Sequence, residues 1–433
     1  MSTSLVVFLL FSIFILLIIL RVPVSFALAF ASLPILFLEP RVTPIMLLQR
    51  MMRSYASFIL LSVPFFILAA NLMNSAGITD RLIRFSKSIV GSFPGGLAHV
   101  NVLVSMIFAG LSGSSTADAA GIGSVLIPAM TKEKYDKRFT VAVTACSSVM
   151  GVIIPPSIMM IIWAGVMGTT VSGLFLAGFL PGVLIGLFQM LLVLFFAYKR
   201  KYPVMGKFSF REIFISFKDS FLALLTPLII IGGIIGGFVT PTEASFLAVA
   251  YSLFLGVVIY RNVSFSKFIK VLLDTVRLAS ISLFAIGAAS IFGWVLSYFR
   301  IPQFFVDKIS TLTTSPTLVL VIIALLFLFV GTFMDGAPAI VIMGPLLKPL
   351  ADFAGIHPLH FAIVGIVSLS FGLVTPPYGL CLLIASDIAK INCMEAIKEV
   401  GIFLLVMLLV VLIMIVFPNV TLFLPKILLS SLF

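Results

Sequence analysis

Charged residues are scarce in this sequence, and so are histidine, cysteine and tryptophan. Asp, Glu, Lys and Arg make up 10% of the 433 residues, against about 25% in a typical soluble domain. The three cysteines lack the spacing of metal ligands and suggest no disulfide framework, and the three histidines are scattered and suggest no proton relay. The Gly-x-x-x-x-Gly-Lys-Ser/Thr pattern, whose backbone holds nucleotide phosphates, is also missing. These absences exclude an ordinary soluble domain and predict a chain without an ATP site.

Long apolar runs dominate instead, with 61% hydrophobic residues and a mean hydropathy of +1.29. About 20 apolar residues in a helix cross the hydrocarbon core, whereas single soluble cores stop growing near about 250–300 residues. The sequence therefore predicts an all-α polytopic membrane protein. Its first run is interpreted as a retained helix, with a cleaved signal peptide as the alternative. Ten spans are predicted, over residues 4–20, 24–38, 58–75, 139–165, 171–198, 221–238, 243–260, 277–298, 360–388 and 399–417.

The basic residues give a formal charge of +12 and lie in short gaps between the apolar runs. In a soluble protein this charge would suggest nucleic acid; here the positive-inside rule explains it better, so no nucleic acid is expected. Placing both termini outside puts 20 of the 27 Lys and Arg residues inside, Lys207 among them. An inner-membrane protein with periplasmic termini is predicted.

Four segments, 43–55, 79–91, 207–219 and 262–274, mix basic and apolar residues. Helices of this composition lie in the membrane interface with their apolar face down. Simple juxtamembrane helices with anchoring charges are the alternative interpretation.

Residues 95–130 and 316–350 do not fit single spans. Each holds two short apolar stretches joined by a break, from Gly110 to Asp118 in the first and from Gly331 to Pro338 in the second. Two full spans would send stretches containing Ser, Asp and Gly across the bilayer. Both regions are therefore predicted to be re-entrant helical hairpins, with their free backbone groups covered by protein or water.

The sequence also matches itself at an offset of 221 residues. The first hairpin is predicted to enter from the inside and the second from the outside, so the two halves would be antiparallel. This pattern indicates the inverted repeat of secondary transporters, with a site at the repeat interface near the midplane. The matched pairs are Gly110 and Gly331, Gly123 and Gly344, Pro128 and Pro349, Gly151 and Gly372, and Pro155-Pro156 and Pro376-Pro377.

Oxygen-bearing groups collect at these breaks. Proline removes an N–H and interrupts its helix, which frees carbonyls beside the hairpin of the same half. With hydroxyls and an intramembrane carboxylate, such groups suit a hard cation such as Na⁺. One ion site per half is predicted, the alternative being structural kinks without a ligand. The assigned residues are Ser112, Gly113, Ser115, Asp118, Gly151, Ile154 and Pro155 in the first half, and Gly331, Thr332, Asp335, Gly372, Val374, Thr375 and Pro376 in the second.

Four motifs resemble the large membrane subunit, the DctM-type protein, of tripartite ATP-independent periplasmic (TRAP) transporters. The resemblance covers essentially the whole chain, although the second tip, from Met334 to Pro338, is of a variable type in the family. The motifs are Gly113-Ser114-Ser115-Thr116-Ala117-Asp118, Gly151-Val152-Ile153-Ile154-Pro155-Pro156-Ser157, Pro241-Thr242-Glu243-Ala244 and Gly372-Leu373-Val374-Thr375-Pro376-Pro377.

The resemblance implies Na⁺-driven import of an organic acid, with sialic acid or a C4-dicarboxylate as leading candidates. It also implies two partners, a small four-helix membrane subunit and a periplasmic substrate-binding protein. The implied fold is that of the elevator-type ion transporter superfamily. Scaffold regions are expected at 1–94 and 199–315, and regions bearing hairpins and transport helices at 95–198 and 316–433.

An anionic substrate is expected between the hairpin tips, because the helices that return from each tip direct free N–H groups and positive dipole ends toward that point. Glu243, which follows Pro241 at a helix start, is interpreted either as a helix cap or as a functional residue. The residues assigned to the substrate are Ser114, Ser115, Thr116, Asp335, Gly336, Pro156 and Pro377.

Three other functions remain open. The first is a stand-alone dicarboxylate or ion transporter of the same superfold, which would not require the small subunit. The second is an intramembrane enzyme with Ser114 or Ser115 as nucleophile, which lacks a nearby histidine base. The third is a channel. A transporter subunit without enzymatic activity is the favoured hypothesis.

Overall fold

The computed structural model describes residues 3–206 and 208–429, in which all regular secondary structure is helical. Lys207, assigned above to the cytoplasmic side, and the extreme termini lie outside the described residues. The α-helices are α1 (Thr3–Ile19), α2 (Val24–Ser32), α3 (Ile35–Leu38), α4 (Pro44–Tyr55), α5 (Ser62–Ser75), α6 (Ile78–Val90), α7 (Gly96–Ser112), α8 (Ser115–Lys132), α9 (Lys137–Ser148), α10 (Ile158–Met167), α11 (Val171–Arg200), α12 (Phe210–Ile235), α13 (Pro241–Leu253), α14 (Phe265–Tyr298), α15 (Ile301–Ser310), α16 (Pro316–Gly331), α17 (Gly336–Phe353), α18 (Pro358–Ser370), α19 (Leu380–Ala389), α20 (Cys393–Val416) and α21 (Asn419–Leu428).

The all-α polytopic fold is confirmed, but continuous spans are fewer than the ten predicted. Among the described residues six helices are long and apolar enough to cross a membrane, or seven if α4 and α5, bent by 65°, count as one. Interruptions explain part of the difference, and one of the six, α17, lies in a region predicted as a hairpin and not as a span. The second predicted span breaks at Leu33-Pro34 between α2 and α3, and the predicted spans 139–165 and 360–388 each contain an unwound stretch.

The four amphipathic segments are helical where the structure describes them, but only two are separate helices. Residues 43–55 and 79–91 form α4 and α6. The other two segments continue directly into spans, as the N-terminal turns of α12 and α14. The C-terminal helix α21 was not among the predicted spans; it packs against α11.

The repeat extends to individual helices. Helix α8 runs from 115 to 132 and α17 from 336 to 353, and both ends differ by 221 residues. At the same offset α7 matches α16, α9 matches α18, α10 matches α19, and α11 matches α20, to within a few residues. One element differs in shape, because α4 and α5 are separated by a bend whereas their counterpart α14 is a single helix of 34 residues.

Contacts between the halves occur in equivalent pairs, as a two-fold axis that relates the halves requires. Helix α2 packs on α14 while its counterpart α13 packs on α5, and α10 packs on α17 while α19 packs on α8. The two arms of each hairpin, α7–α8 and α16–α17, pack against each other, so each hairpin is taken to return to the side from which it enters. Counting α1, α2–α3, α5, α9–α10 and α11 as crossings then gives five before the second half. An odd number of crossings turns the chain over, so the repeat is inverted.

An ion pair joins α11 to α20 at the edge of the fold. Arg200 Nη2 lies 2.6 Å from Glu399 Oε1, and the guanidinium stacks on Phe196 at 4.5 Å from its ring centre. The side chains are 27% and 16% exposed, so solvent screens this pair less than the exposed pair of Arg84 with Asp219. The pair is expected to contribute measurably to stability.

We predict that Glu399→Gln lowers the free energy of unfolding by about 1–2 kcal/mol, because it leaves the half-buried guanidinium without its counter-ion. Asp219→Asn, which removes the exposed pair, should cost less than about 0.5 kcal/mol. Thermal unfolding of both variants in detergent measures the difference. Equal unfolding temperatures for the two variants would show that Arg200 and Glu399 add no more than a surface pair.

Candidate functional site

The first hairpin turns at Gly113 and Ser114. Gly113 has φ +63, a left-handed conformation that ends α7, with its N–H donating to Ala109 O. Ser114 then caps α8, its Oγ accepting from Ala117 N at 3.5 Å. This short connection places the N-terminus of α8 at the tip of the hairpin.

The tip docks on the unwound stretch between α9 and α10. Here a 3₁₀ turn, Val149–Val152, precedes Pro155-Pro156, and Ser157 caps α10 by accepting from Met160 N. Ile158 N donates to Gly113 O at 3.3 Å. The tip of the hairpin therefore lies at mid-height of the interrupted span, as re-entrant geometry requires.

Gly151 makes the closest approach between this stretch and the tip. A Cβ added to it would lie 2.9 Å from Ser115 N, 3.0 Å from Ser114 C, and against Asp118 Oδ2. Real Cβ atoms do not come this close to backbone atoms. Only glycine allows the stretch and the tip to meet at this point.

Asp118 lies at the centre of this junction and is fully buried. Its Oδ1 accepts from Ser112 Oγ, while Ser115 Oγ donates to Val149 O at 3.1 Å. Its Oδ2 is buried without a hydrogen-bond partner. An unpaired carboxylate oxygen at this depth is costly, and a cation would satisfy it.

The oxygens around Asp118 suit a hard monovalent cation better than a transition metal. Within residues 3–206 and 208–429, no group of three or more His, Cys, Asp or Glu side chains could hold a metal. The first half instead offers the Asp118 carboxylate and the hydroxyls of Ser112 and Ser115, next to the backbone of the unwound stretch. The residues at this junction thus fit Na⁺.

The second half repeats the docking with different side chains. Tyr378 N, in the unwound stretch between α18 and α19, donates to Thr332 O at 3.0 Å. A Cβ on Gly372 would collide with the backbone of Gly331. Thr375 Oγ1 donates to Phe371 O at 2.9 Å. Gly331, Thr332 and Gly372 of the predicted second-half site therefore come together, and no fully buried carboxylate like Asp118 takes part in these contacts.

The two acidic residues at the tips are not repeat equivalents. Adding 221 to 118 gives Ala339, and subtracting it from 335 gives Ser114. Asp118 is enclosed in the first-half junction, whereas Asp335 precedes α17 and lines a cavity. We infer different roles, with Asp118 directed toward an ion and Asp335 toward the occupant of the cavity.

The cavity has a volume of about 420 Å³ and lies between the two hairpins and the helices α5 and α14. Of the predicted substrate residues, Ser114, Ser115, Thr116 and Asp335 line it. The other three are not among its lining residues: Pro156 O faces Gly113, Gly336 packs against Met159, and Pro377 lies on the exposed side of its loop. The cavity lining includes no Lys or Arg.

Sequence reasoning missed the far wall of this cavity. Asn71 and Asn74 of α5 and Ser282 of α14 face the hairpins across it. Two asparagines three residues apart in an otherwise apolar helix are a signal that the sequence contained.

Glu243, interpreted above either as a helix cap or as a functional residue, is a helix cap. Its Oε2 accepts from Thr240 N at 2.7 Å, and Thr240 Oγ1 accepts from Glu243 N.

Helices α5 and α14, which are equivalent in the repeat, differ in how closely they pack against the hairpins. Helix α14 packs along α17, and a Cβ on Gly293 would lie 3.4 Å from Val341 O. The equivalent helices α5 and α8 meet at Asn74 and Gly121 but are otherwise less closely packed, and both line the cavity. The cavity therefore lies where α5, rather than α14, packs against a hairpin.

Residues 11–420 match the family described as the tripartite ATP-independent periplasmic transporter, DctM component. The chain is 39% identical over 408 residues to the sialic acid TRAP transporter large permease protein SiaM of Vibrio cholerae, covering 94% of this chain and 96% of that one. It is 37% identical to the C4-dicarboxylate TRAP transporter large permease protein DctM of Pseudomonas aeruginosa, with 85% and 86% covered.

The fold has a solved counterpart in the YdaH transporter of Alcanivorax borkumensis, with a TM-score of 0.59 at 15% identity, covering 85% of this chain and 86% of that chain. At this identity the likeness concerns the fold alone. Family membership instead rests on the match over nearly the whole sequence and on the large-permease relatives. The chain therefore belongs to the DctM family and is a multi-pass large permease subunit of a TRAP transporter, not an enzyme.

Proposed function

We propose that this subunit imports an organic acid together with Na⁺ through the cavity between the hairpin tips. The observation that carries the proposal is the buried, unpaired Oδ2 of Asp118 directly behind the tip that lines the cavity. A cation held there would satisfy the carboxylate and fix the tip against the unwound stretch. Ion binding would thus prepare the cavity for its substrate.

An anionic substrate would find its countercharge in backbone and ion rather than in basic side chains. Helices α8 and α17 both begin beside the cavity, at Ser115 and Gly336, so their positive dipole ends lie close to its occupant. Na⁺ near Asp118 would add positive charge behind the first tip. Anion and ion are then expected to bind cooperatively.

The relatives supply the candidate substrates, since their names specify sialic acid and C4-dicarboxylates. By the same reasoning the subunit works with a small four-helix membrane subunit and a periplasmic substrate-binding protein, in the inner membrane. The excess of basic residues on one side supports periplasmic termini. ATP has no part in this scheme.

Uptake into proteoliposomes containing this chain, its small subunit and a candidate binding protein tests the proposal. An inward Na⁺ gradient should drive accumulation of the acid, and ATP without the gradient should not. Accumulation that is indifferent to Na⁺, or that requires ATP, would contradict it.

Alternating access is proposed to follow an elevator movement. The hairpins and interrupted helices would move as one body past a scaffold that includes α5 and α14. The asymmetry between the open α5–α8 side and the packed α14–α17 side supports this, because an inverted repeat can exchange those two arrangements. The cavity would then open to the other side.

Linking α5 to α8 is predicted to arrest the movement. An ideal Cβ at Gly121 of α8 lies 3.3 Å from Asn74 Nδ2 and 3.6 Å from Asn74 Cγ, so Asn74→Cys and Gly121→Cys bring two thiols together. In a background without Cys146, Cys381 and Cys393, oxidation should stop uptake and reduction should restore it.

The control is a disulfide within the proposed scaffold. Ser88 Oγ of α6 and Ser216 Oγ of α12 are 2.8 Å apart, so Ser88→Cys with Ser216→Cys should crosslink and leave uptake intact. Full uptake by the oxidised α5–α8 pair would exclude movement between these helices.

A further inference from the structure

Asn71 and Asn74 face the hairpin tips from α5, and the ion site does not account for them. They are three residues apart, share one face of the helix and line the cavity. Asn74 is exposed and Asn71 partly exposed, so both carboxamides are accessible to a ligand. Together with Ser282 they are the polar part of the wall opposite the tips.

The hydrogen bonds of Asn71 fix which end of its carboxamide faces the cavity. Thr275 Oγ1 donates to Val271 O at 2.8 Å, so its proton is already used. The same oxygen accepts from Asn71 Nδ2 at 3.0 Å. The amino group of Asn71 is therefore held toward α14, and its Oδ1 is left as an acceptor.

Asn74 has the opposite orientation. Thr79 Oγ1 donates to Asn74 Oδ1 at 3.0 Å, so the carbonyl end is turned toward Thr79 and Nδ2 away from it. The carboxamide lies flat against Gly121 of the returning helix α8, where an added Cβ would be 3.3 Å from Nδ2 and 3.4 Å from Oδ1. One asparagine thus offers an acceptor and the other a donor on the same wall.

The other repeat has no such pair. The equivalents of Asn71 and Asn74 at the 221-residue offset are Phe292 and Val295, both buried in packing. The two amides are therefore not a requirement of the repeated fold. They belong to the half in which the cavity is open.

We propose that Asn71 and Asn74 are specificity-determining residues, which recognise hydroxyl groups of the transported acid from the scaffold side. The proposal rests on the function proposed above. An acceptor beside a donor matches a hydroxyl, which both donates and accepts, whereas a carboxylate can only accept. The preferred cargo is thus a hydroxylated organic acid, and an unsubstituted C4-dicarboxylate would place a carboxylate against Asn71 Oδ1.

The test compares uptake of sialic acid, which is rich in hydroxyls, with uptake of succinate, which has none. In Asn71→Leu and in Asn74→Leu, KM for sialic acid should rise about 10-fold, because substrate hydroxyls lose their partners. Maximal rate and the half-saturating Na⁺ concentration should stay within about two-fold, which distinguishes lost recognition from a damaged ion site. KM for succinate should change less than KM for sialic acid.

Two further variants provide controls. Thr275→Val frees the amide of Asn71 without entering the cavity lining, so it should raise KM for sialic acid by a smaller factor. Asn419→Ala, at an exposed position of α21, should change neither KM. An unchanged KM for sialic acid in both leucine variants, or equal rises for the two acids, would overturn the proposal.

Thermal stabilisation of the purified subunit separates this inference from the transport function. If the wild type accumulates no acid in a Na⁺ gradient, the proposed function fails, yet ligand binding can still be compared. Stabilisation of the wild type by sialic acid, lost in Asn74→Leu, would support hydroxyl recognition. Stabilisation by succinate instead, or by neither acid, would contradict it.

Discussion

Gly151→Ala is expected to reduce Na⁺-driven uptake by at least about 100-fold, which corresponds to the upper range for overpacking at a closed junction. The added methyl group would lie 2.9 Å from Ser115 N and against Asp118 Oδ2. Neither atom can yield easily, because one is backbone at a helix start and the other is enclosed. The first hairpin would be forced away from the unwound stretch, separating the oxygens proposed to hold the ion.

The matched control is Gly401→Ala in α20, where an added Cβ meets nothing within 4 Å. Uptake, measured in proteoliposomes at equal protein content, should be unchanged in that variant. Wild-type uptake by Gly151→Ala would mean that the tip and the stretch need not touch during transport.

Asp118→Asn is expected to raise the half-saturating Na⁺ concentration for uptake about 100-fold, the effect of removing one charge from a buried pair. The amide retains the size of the carboxylate but not its charge, so folding should be affected less than ion binding. Uptake measured over a range of Na⁺ concentrations at saturating acid gives the value directly.

Asp335→Asn provides an informative comparison, because Asp335 lines the cavity rather than the buried junction. Its main effect should be on KM for the organic acid. Asp274→Asn, at an exposed position of α14, should affect neither parameter. A Na⁺ dependence identical to wild type in Asp118→Asn, with normal expression, would remove Asp118 from the ion site.

The hairpins and the repeat were predictable because glycine and proline leave local marks. The predicted region 95–130 corresponds to α7 and α8, and 316–350 to α16 and α17. The breaks at Gly113 and at the two Pro-Pro pairs follow from the backbone properties of glycine and proline, which can be read directly from the sequence. Predicting such features requires no knowledge of contacts between residues that are far apart in the chain.

The cavity wall was not predictable in the same way, because it depends on contacts between segments far apart in the chain. Asn71 meets Thr275 across 204 residues, and no local pattern pairs them. The bend between α4 and α5, absent from the continuous α14, likewise arises where the two halves pack differently. The non-equivalence of Asp118 and Asp335 was readable from the sequence, since the repeat aligns Asp118 with Ala339.

The most direct measurement is the simultaneous flux of radioactive Na⁺ and labelled organic acid into the same proteoliposomes, with both partner proteins present. Coupling through one site between the hairpins predicts that the two fluxes rise together in a fixed ratio. It also predicts that each flux falls to the background level when the other solute is omitted. Acid entry that continues unchanged without Na⁺, or Na⁺ entry that ignores the acid, would contradict a coupled site.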